Sequence, residues 1–186
     1  MRHAYRADQW IPFPVDRVFA FFANPGNLSC LMPAWQQVRL EKSNLIPPPG
    51  EPRSAGQEAP EQSRPAGPLD IAGAGSTMAV SFRPVPFLPL RLRWEVHITE
   101  FANNEFFCDR QEHGPFRFWR HCHRTRGETR DGVAGTVVTD ELEYELPMGL
   151  LGDIVDALAV RGQIESLFAY RQRKLPELLH SGGPCP

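Results

Sequence analysis

Lysine is nearly missing from this sequence. Among its 20 basic residues only Lys42 and Lys174 are lysines, and 22 acidic residues bring the formal net charge to −2. No basic face of the kind that binds a phosphate backbone is indicated, so nucleic acid is not an expected partner. Long apolar runs are also lacking. Nothing approaches the roughly 18–20 residues needed to cross a bilayer, so no transmembrane segment is expected. The opening residues, Met1-Arg2-His3-Ala4-Tyr5-Arg6-Ala7-Asp8, hold no apolar stretch of the signal-peptide kind. Cysteine is scarce: Cys30, Cys108, Cys122 and Cys185 are scattered, with no C-x-x-C pair. That spacing argues against a disulfide scaffold or a zinc knuckle and leaves a reducing cytoplasm as the expected location. There is no G-x-S-x-G, P-loop, dinucleotide fingerprint or H-E-x-x-H, so neither an activated nucleophile nor a nucleotide site is indicated. No cofactor is expected.

Proline, by contrast, is plentiful, and much of it falls in residues 43–70. Prolines 47, 48, 49, 52, 60, 65 and 68 stand there among Gly, Glu, Ser and Ala. With almost nothing large and apolar to bury, this stretch reads as a flexible insertion between strands, with a lid over a pocket as the sharper alternative. The remainder is patterned. Residues 3–11 suit a first strand ended by Pro12 and Pro14. Pro14 then fits the first turn of a helix in which Val15, Val18, Phe19 and Phe22 mark the buried face and Asp16 complements the dipole. Asn24-Pro25-Gly26 stops that helix. A second short helix is expected over about 26–32, and a strand over Trp35–Glu41.

From Gly75 onward the period is two. Met78, Val80 and Phe82 alternate with polar or small residues, and Leu90, Leu92, Trp94, Val96 and Ile98 alternate with charged ones. Turn signals at Asn103-Asn104 and Gly114-Pro115 separate strands at Glu105–Gln111 and Phe116–Thr125. A last strand places Thr136, Val138, Asp140, Leu142, Tyr144 and Leu146 on one face, with a solvated opposite face. After Pro147 the period becomes helical. Leu151, Ile154, Val155 and Leu158 are continued by Ile164, Leu167, Phe168, Leu175 and Leu178, while Asp156, Arg161 and Arg171 read as part of the charged remainder. A helix of about 30 residues would span about 45 Å, enough to cross a sheet. The expected architecture is α+β, with about six to seven antiparallel strands in a curved sheet wrapped around the long C-terminal helix and two short helices after strand 1. One domain over 1–180 with a disordered tail at 181–186 completes the reading.

Together these segments resemble the SRPBCC superfamily of START-type, helix-grip ligand-binding proteins, including its polyketide cyclase/dehydrase-like and lipid-transfer members. The resemblance rests on Ile11-Pro12 with Pro14–Phe22, on Asn24-Pro25-Gly26-Asn27-Leu28 and on Leu31-Met32-Pro33. Gly114-Pro115-Phe116, Trp119–His123, Thr139–Pro147 and Phe168-Ala169-Tyr170-Arg171 complete it. No single piece is specific; the order and spacing carry the likeness. What it implies is a cavity between sheet and helix, whose wall is the same surface as the core.

On that reading Phe19, Phe22, Trp94, Phe107 and Trp119 are candidate ligand-binding residues. His121, His123, Tyr144, Ile164 and Phe168 complete the set. Trp119, His121 and His123 share one strand face. A metal is not expected there, because two histidines need a third ligand that the sequence does not name. Catalytic candidates are His121 and His123, whose ordinary pKa suits proton transfer, and Asp140, the one acidic residue on the apolar face of its strand. A lone buried carboxylate needs a His or Arg partner, in a structural ion pair or as a tuned acid. The leading function is binding or carriage of an apolar small molecule such as a lipid, isoprenoid or polyketide-like compound. The rival is a cyclase, aromatase or dehydratase using His acid/base chemistry. A protein-interaction module is the third class, and homodimerisation stays open.

Overall fold

The computed structural model describes residues 1–48, 71–87, 89–149, 153 and 156–181. Seven antiparallel strands form one sheet: β1 (Arg2–Ile11), β2 (Arg39–Asn44), β3 (Thr77–Phe82), β4 (Leu92–Ala102), β5 (Phe106–His113), β6 (Phe118–Arg130) and β7 (Val133–Glu145). Their spatial order is β1-β7-β6-β5-β4-β3-β2, so β2 to β7 run as a meander and the first strand closes onto the last. Register shifts between Leu40 and Lys42, and in the β4–β5 ladder around Val96 and Thr99, are bulges that bend the sheet. Helix α1 (Val15–Ala23) follows β1 and buries Val18, Phe19 and Ala23. A 3₁₀ turn over Pro25–Leu31 comes next, its start capped by the Asn24 side chain, which accepts from the Gly26 amide at 2.8 Å.

The C-terminal helix α2 (Arg161–Ser181) buries Ile164, Phe168, Arg171, Leu175 and Leu179, one stripe at spacings of three and four. This stripe faces the sheet: Phe168 stacks on Tyr5 of β1, and Leu175 and Leu179 pack with Ile11, Phe13, Val18 and Val138. Arg17 of α1 donates to the Leu179 carbonyl near the end of α2, tying the two helices together.

Five local expectations are corrected. Trp35 lies in a 3₁₀ turn (Ala34–Gln36), and the strand begins only at Arg39. Leu90 precedes β4 and is exposed. The long helix does not run straight from 151: a π-helical turn over Asp156–Val160 precedes α2, and Leu158 is exposed. Asp156 is fully buried, accepting from the Tyr144 hydroxyl at 2.6 Å with His3 Nδ1 3.2 Å away. Cys108 and Cys122 are joined as a disulfide, which the linear spacing had argued against. The register explains it, because positions fourteen apart in sequence stand directly opposite each other on β5 and β6. Residues 49–70 of the expected insertion, and 182–186 of the expected tail, lie outside the described residues.

Candidate functional site

A cavity of about 150 Å³ lies between the concave face of the sheet and α2. Strands β3 to β6 contribute by their period of two: Met78, Val80 and Phe82 from β3, Trp94, Val96 and Ile98 from β4, Phe107 and Asp109 from β5, and Trp119, His121 and His123 from β6. Phe22 and Ala23 at the end of α1, with Leu28, Leu31 and Met32 beyond it, form one side. Ile164, Leu167, Phe168 and Arg171 of α2 close the other. Most of this wall is apolar. Polar side chains enter it from Asn24, Asp109, His121, His123 and Arg171, and the last four converge.

Cross-strand pairing brings these groups together. His123 stands opposite Asp140 of β7 on one side and Phe107 of β5 on the other, and His121 stands opposite Asp109. Asp140 Oδ1 is the hub: His121 Nε2 lies 3.1 Å away, His123 Nδ1 2.6 Å away, and Arg171 Nη1 donates to it at 3.3 Å. The other face of His121 looks toward Asp109, with Nδ1 3.7 Å from Oδ1, and Trp119 Nε1 donates to Asp109 Oδ2 at 3.2 Å. Aromatic walls fix both imidazoles. Phe22 and Phe107 flank His123 at centroid distances of 5.1 and 4.7 Å, and Phe168 meets the edge of His121 at 5.5 Å.

The electrostatics divide the cluster. Burial alone would raise Asp140, but the His123 and His121 contacts and the Arg171 charge outweigh it and hold this carboxyl well below the usual range. Burial pushes both histidines down, toward the neutral form, with His123 adding to the effect on His121. Asp109 moves the other way: desolvation raises it, and His121, Trp119 and Arg171 only partly offset the rise. The carboxyls of Asp109 and Asp140, both in contact with His121, are thus shifted in opposite directions, an arrangement suited to moving a proton.

Of the ten ligand-binding candidates, eight line the cavity: Phe22, Trp94, Phe107, Trp119, His121, His123, Ile164 and Phe168. Phe19 and Tyr144 do not. Phe19 packs deeper, edge-on to Phe101 and Phe107, and Tyr144 is turned to Asp156, where burial and that hydrogen bond push its hydroxyl up. Asp140 sits behind the histidines and meets two histidines and an arginine, the partners its burial requires. Asp109 and Arg171 were missed. Asp109 is in phase with the inward Phe107, and Arg171 is in phase with Ile164, Phe168 and Leu175.

A curved sheet gripping a helix around an apolar cavity is a shared architecture, and the sequence identifies the group. Residues 11–168 match the family described as polyketide cyclase/dehydrase and lipid transport. The chain belongs to that family. Solved structures similar to this polyketide cyclase/dehydrase and lipid transport family member include TTHA0849 from Thermus thermophilus, at 16% identity and TM-score 0.59, covering 97% of this chain and 99% of that one. Norcoclaurine synthase from Thalictrum flavum, solved as a point mutant with a transition-state analogue, is 15% identical with TM-score 0.56, covering 97% and 96%. Ara h 8.0201 is 12% identical with TM-score 0.53, covering 94% and 98%. At these identities the likeness is one of fold. No curated protein matches the sequence. Among the described residues no helix is long and apolar enough to cross a membrane.

Proposed function

We propose that this family member binds an apolar small molecule of about ring size in the cavity, with an oxygen of the ligand directed to the Asp109–His121–His123–Arg171 end. The observation that carries the reading is the composition of the wall: apolar on nearly every side, with polar groups gathered at one place. A cavity of about 150 Å³ is of the size that accepts a single aromatic ring. Arg171 Nε and Trp94 Nε1 are buried donors without a partner, and a ligand oxygen would satisfy one of them. Lipid, isoprenoid and polyketide-like compounds all offer such a pattern. Native mass spectrometry of protein extracted gently from cells tests it. A co-purifying small molecule released on denaturation is expected; apo protein alone, together with failure to take up aromatic probes, would refute it.

A second reading is catalytic: a cyclase, aromatase or dehydratase acting on a polyketide-like chain. Its support is the opposed protonation bias of Asp109 and Asp140 around His121. Norcoclaurine synthase, also solved with dopamine and hydroxybenzaldehyde, lends this fold an enzymatic precedent by name, which comes here only as analogy. In this reading His121 of the present chain exchanges a proton with the ligand or with Asp109, and Asp140 and Arg171 position the ring. Turnover of a polyketide surrogate by a His121→Ala/His123→Ala double variant is the direct test. Unchanged turnover would remove both histidines from any mechanism.

A further inference from the structure

We propose that Asp109, His121 and His123 form a divalent transition-metal site at the polar end of the cavity, with an open coordination position toward the bound ligand. One ligand atom from each of the three residues can be chosen such that all lie within 4.8 Å of one another, and all three residues line the cavity. Two imidazoles and one carboxylate on one face are the donor set of catalytic zinc centres and of facial-triad iron centres, both of which leave positions for water or substrate.

What separates this cluster from a chance gathering is the group behind it. A metal-binding imidazole has its other nitrogen held by an outer carboxylate, which fixes the ring and its tautomer. Asp140 stands in that place for both rings at once. Its Oδ1 lies 3.1 Å from His121 Nε2 and 2.6 Å from His123 Nδ1, which leaves Nδ1 of His121 and Nε2 of His123 as free lone pairs. Arg171 in turn anchors Asp140. His123 itself is only 8% exposed. The ring is further held by packing between Phe22 and Phe107. Charge agrees as well. With neutral imidazoles and both carboxyls ionised, Asp109, Asp140 and Arg171 sum to one negative charge, which a dication would overturn to one positive, shared with an anionic ligand oxygen.

The experiment uses untagged full-length protein stripped with a chelator and titrated with Co²⁺, whose visible absorption reports low-symmetry coordination, followed by displacement with Zn²⁺. One equivalent is expected. Asp109→Asn and His123→Gln should each weaken binding at least about 100-fold, and Asp140→Asn about 10–100-fold, in the range of outer-shell substitutions. His113→Gln, at an exposed position on β5, should bind as the parent does. If a variant fails to fold by circular dichroism, NMR of the parent replaces it: Co²⁺ should shift and broaden the His121 and His123 ring resonances before those of other histidines. A folded parent with no absorption band overturns the proposal, as does metal binding that Asp109→Asn and His123→Gln leave intact, or broadening confined to other histidines. Uptake of an aromatic probe, measured separately in chelator, keeps this outcome distinct from that of the cavity reading.

Discussion

Replacing Asp140 by Asn keeps the shape of the hub and removes its charge. The cost can be worked from its partners. Arg171 is 6% exposed and reaches Asp140 Oδ1 at 3.3 Å. Without that charge its guanidinium is left buried beside two imidazoles, and breaking a buried pair in this way costs about 3–5 kcal/mol. For a chain of this size, about 2–4 °C per kcal/mol gives a fall in Tm of about 6–20 °C. The Asp140→Asn/Arg171→Met double variant removes both charges and keeps much of the volume. It should be at least about 1 kcal/mol more stable than Asp140→Asn alone, because no orphan charge remains. Urea unfolding of chelator-treated protein followed by circular dichroism measures both. An Asp140→Asn cost below about 1 kcal/mol, or a double variant no more stable than Asp140→Asn alone, would refute the account of the hub.

Phe168→Ala should destabilise by about 3–5 kcal/mol, since the ring is 2% exposed and joins Tyr5 to His121; a loss under about 1 kcal/mol in urea unfolding would contradict that packing. Carboxyl ¹³C NMR in chelator should show Asp109 titrating above the ordinary aspartate range and Asp140 below it, and the reverse order would be a failure. The sign for stability follows: Asp140's folded value is depressed, so its contribution is present above about pH 3.9 and lost as the pH falls through the folded value. Replacing Cys108 and Cys122 together by Ser should cost about 3 kcal/mol by the loop-closure argument for a bridge spanning fourteen positions, with no change in far-UV circular dichroism; equal stability in the presence and absence of reductant would argue against the cross-link.

The parts of this fold legible in the sequence are those written in periodicity. Met78-Val80-Phe82 and Trp94-Val96-Ile98 alternate cleanly, and they form the cavity wall. Trp119, His121 and His123 are inward by the same rule. Boundaries set by tertiary context were less legible: Leu90 alternates correctly yet lies outside β4, and Leu158 keeps helical spacing yet sits in the π-helical turn. The polar partners were the harder part, because hydrophobic patterning treats a charged residue as outward by default. Arg171 is buried against Asp140, and Asp109 is partly buried beside Trp119 and His121. The Cys108–Cys122 pairing depends on strand register, which linear spacing does not contain.

Everything functional here rests on an accessible apolar cavity between β3–β6 and α2. Isothermal titration of phenol into chelator-treated protein, beside a Val96→Trp variant whose indole would fill a space of about 150 Å³, tests that most directly. The account predicts one-to-one binding with a negative heat-capacity change, lost in a Val96→Trp protein that is still folded by circular dichroism. Equal binding by both proteins, or none by the parent, would contradict it.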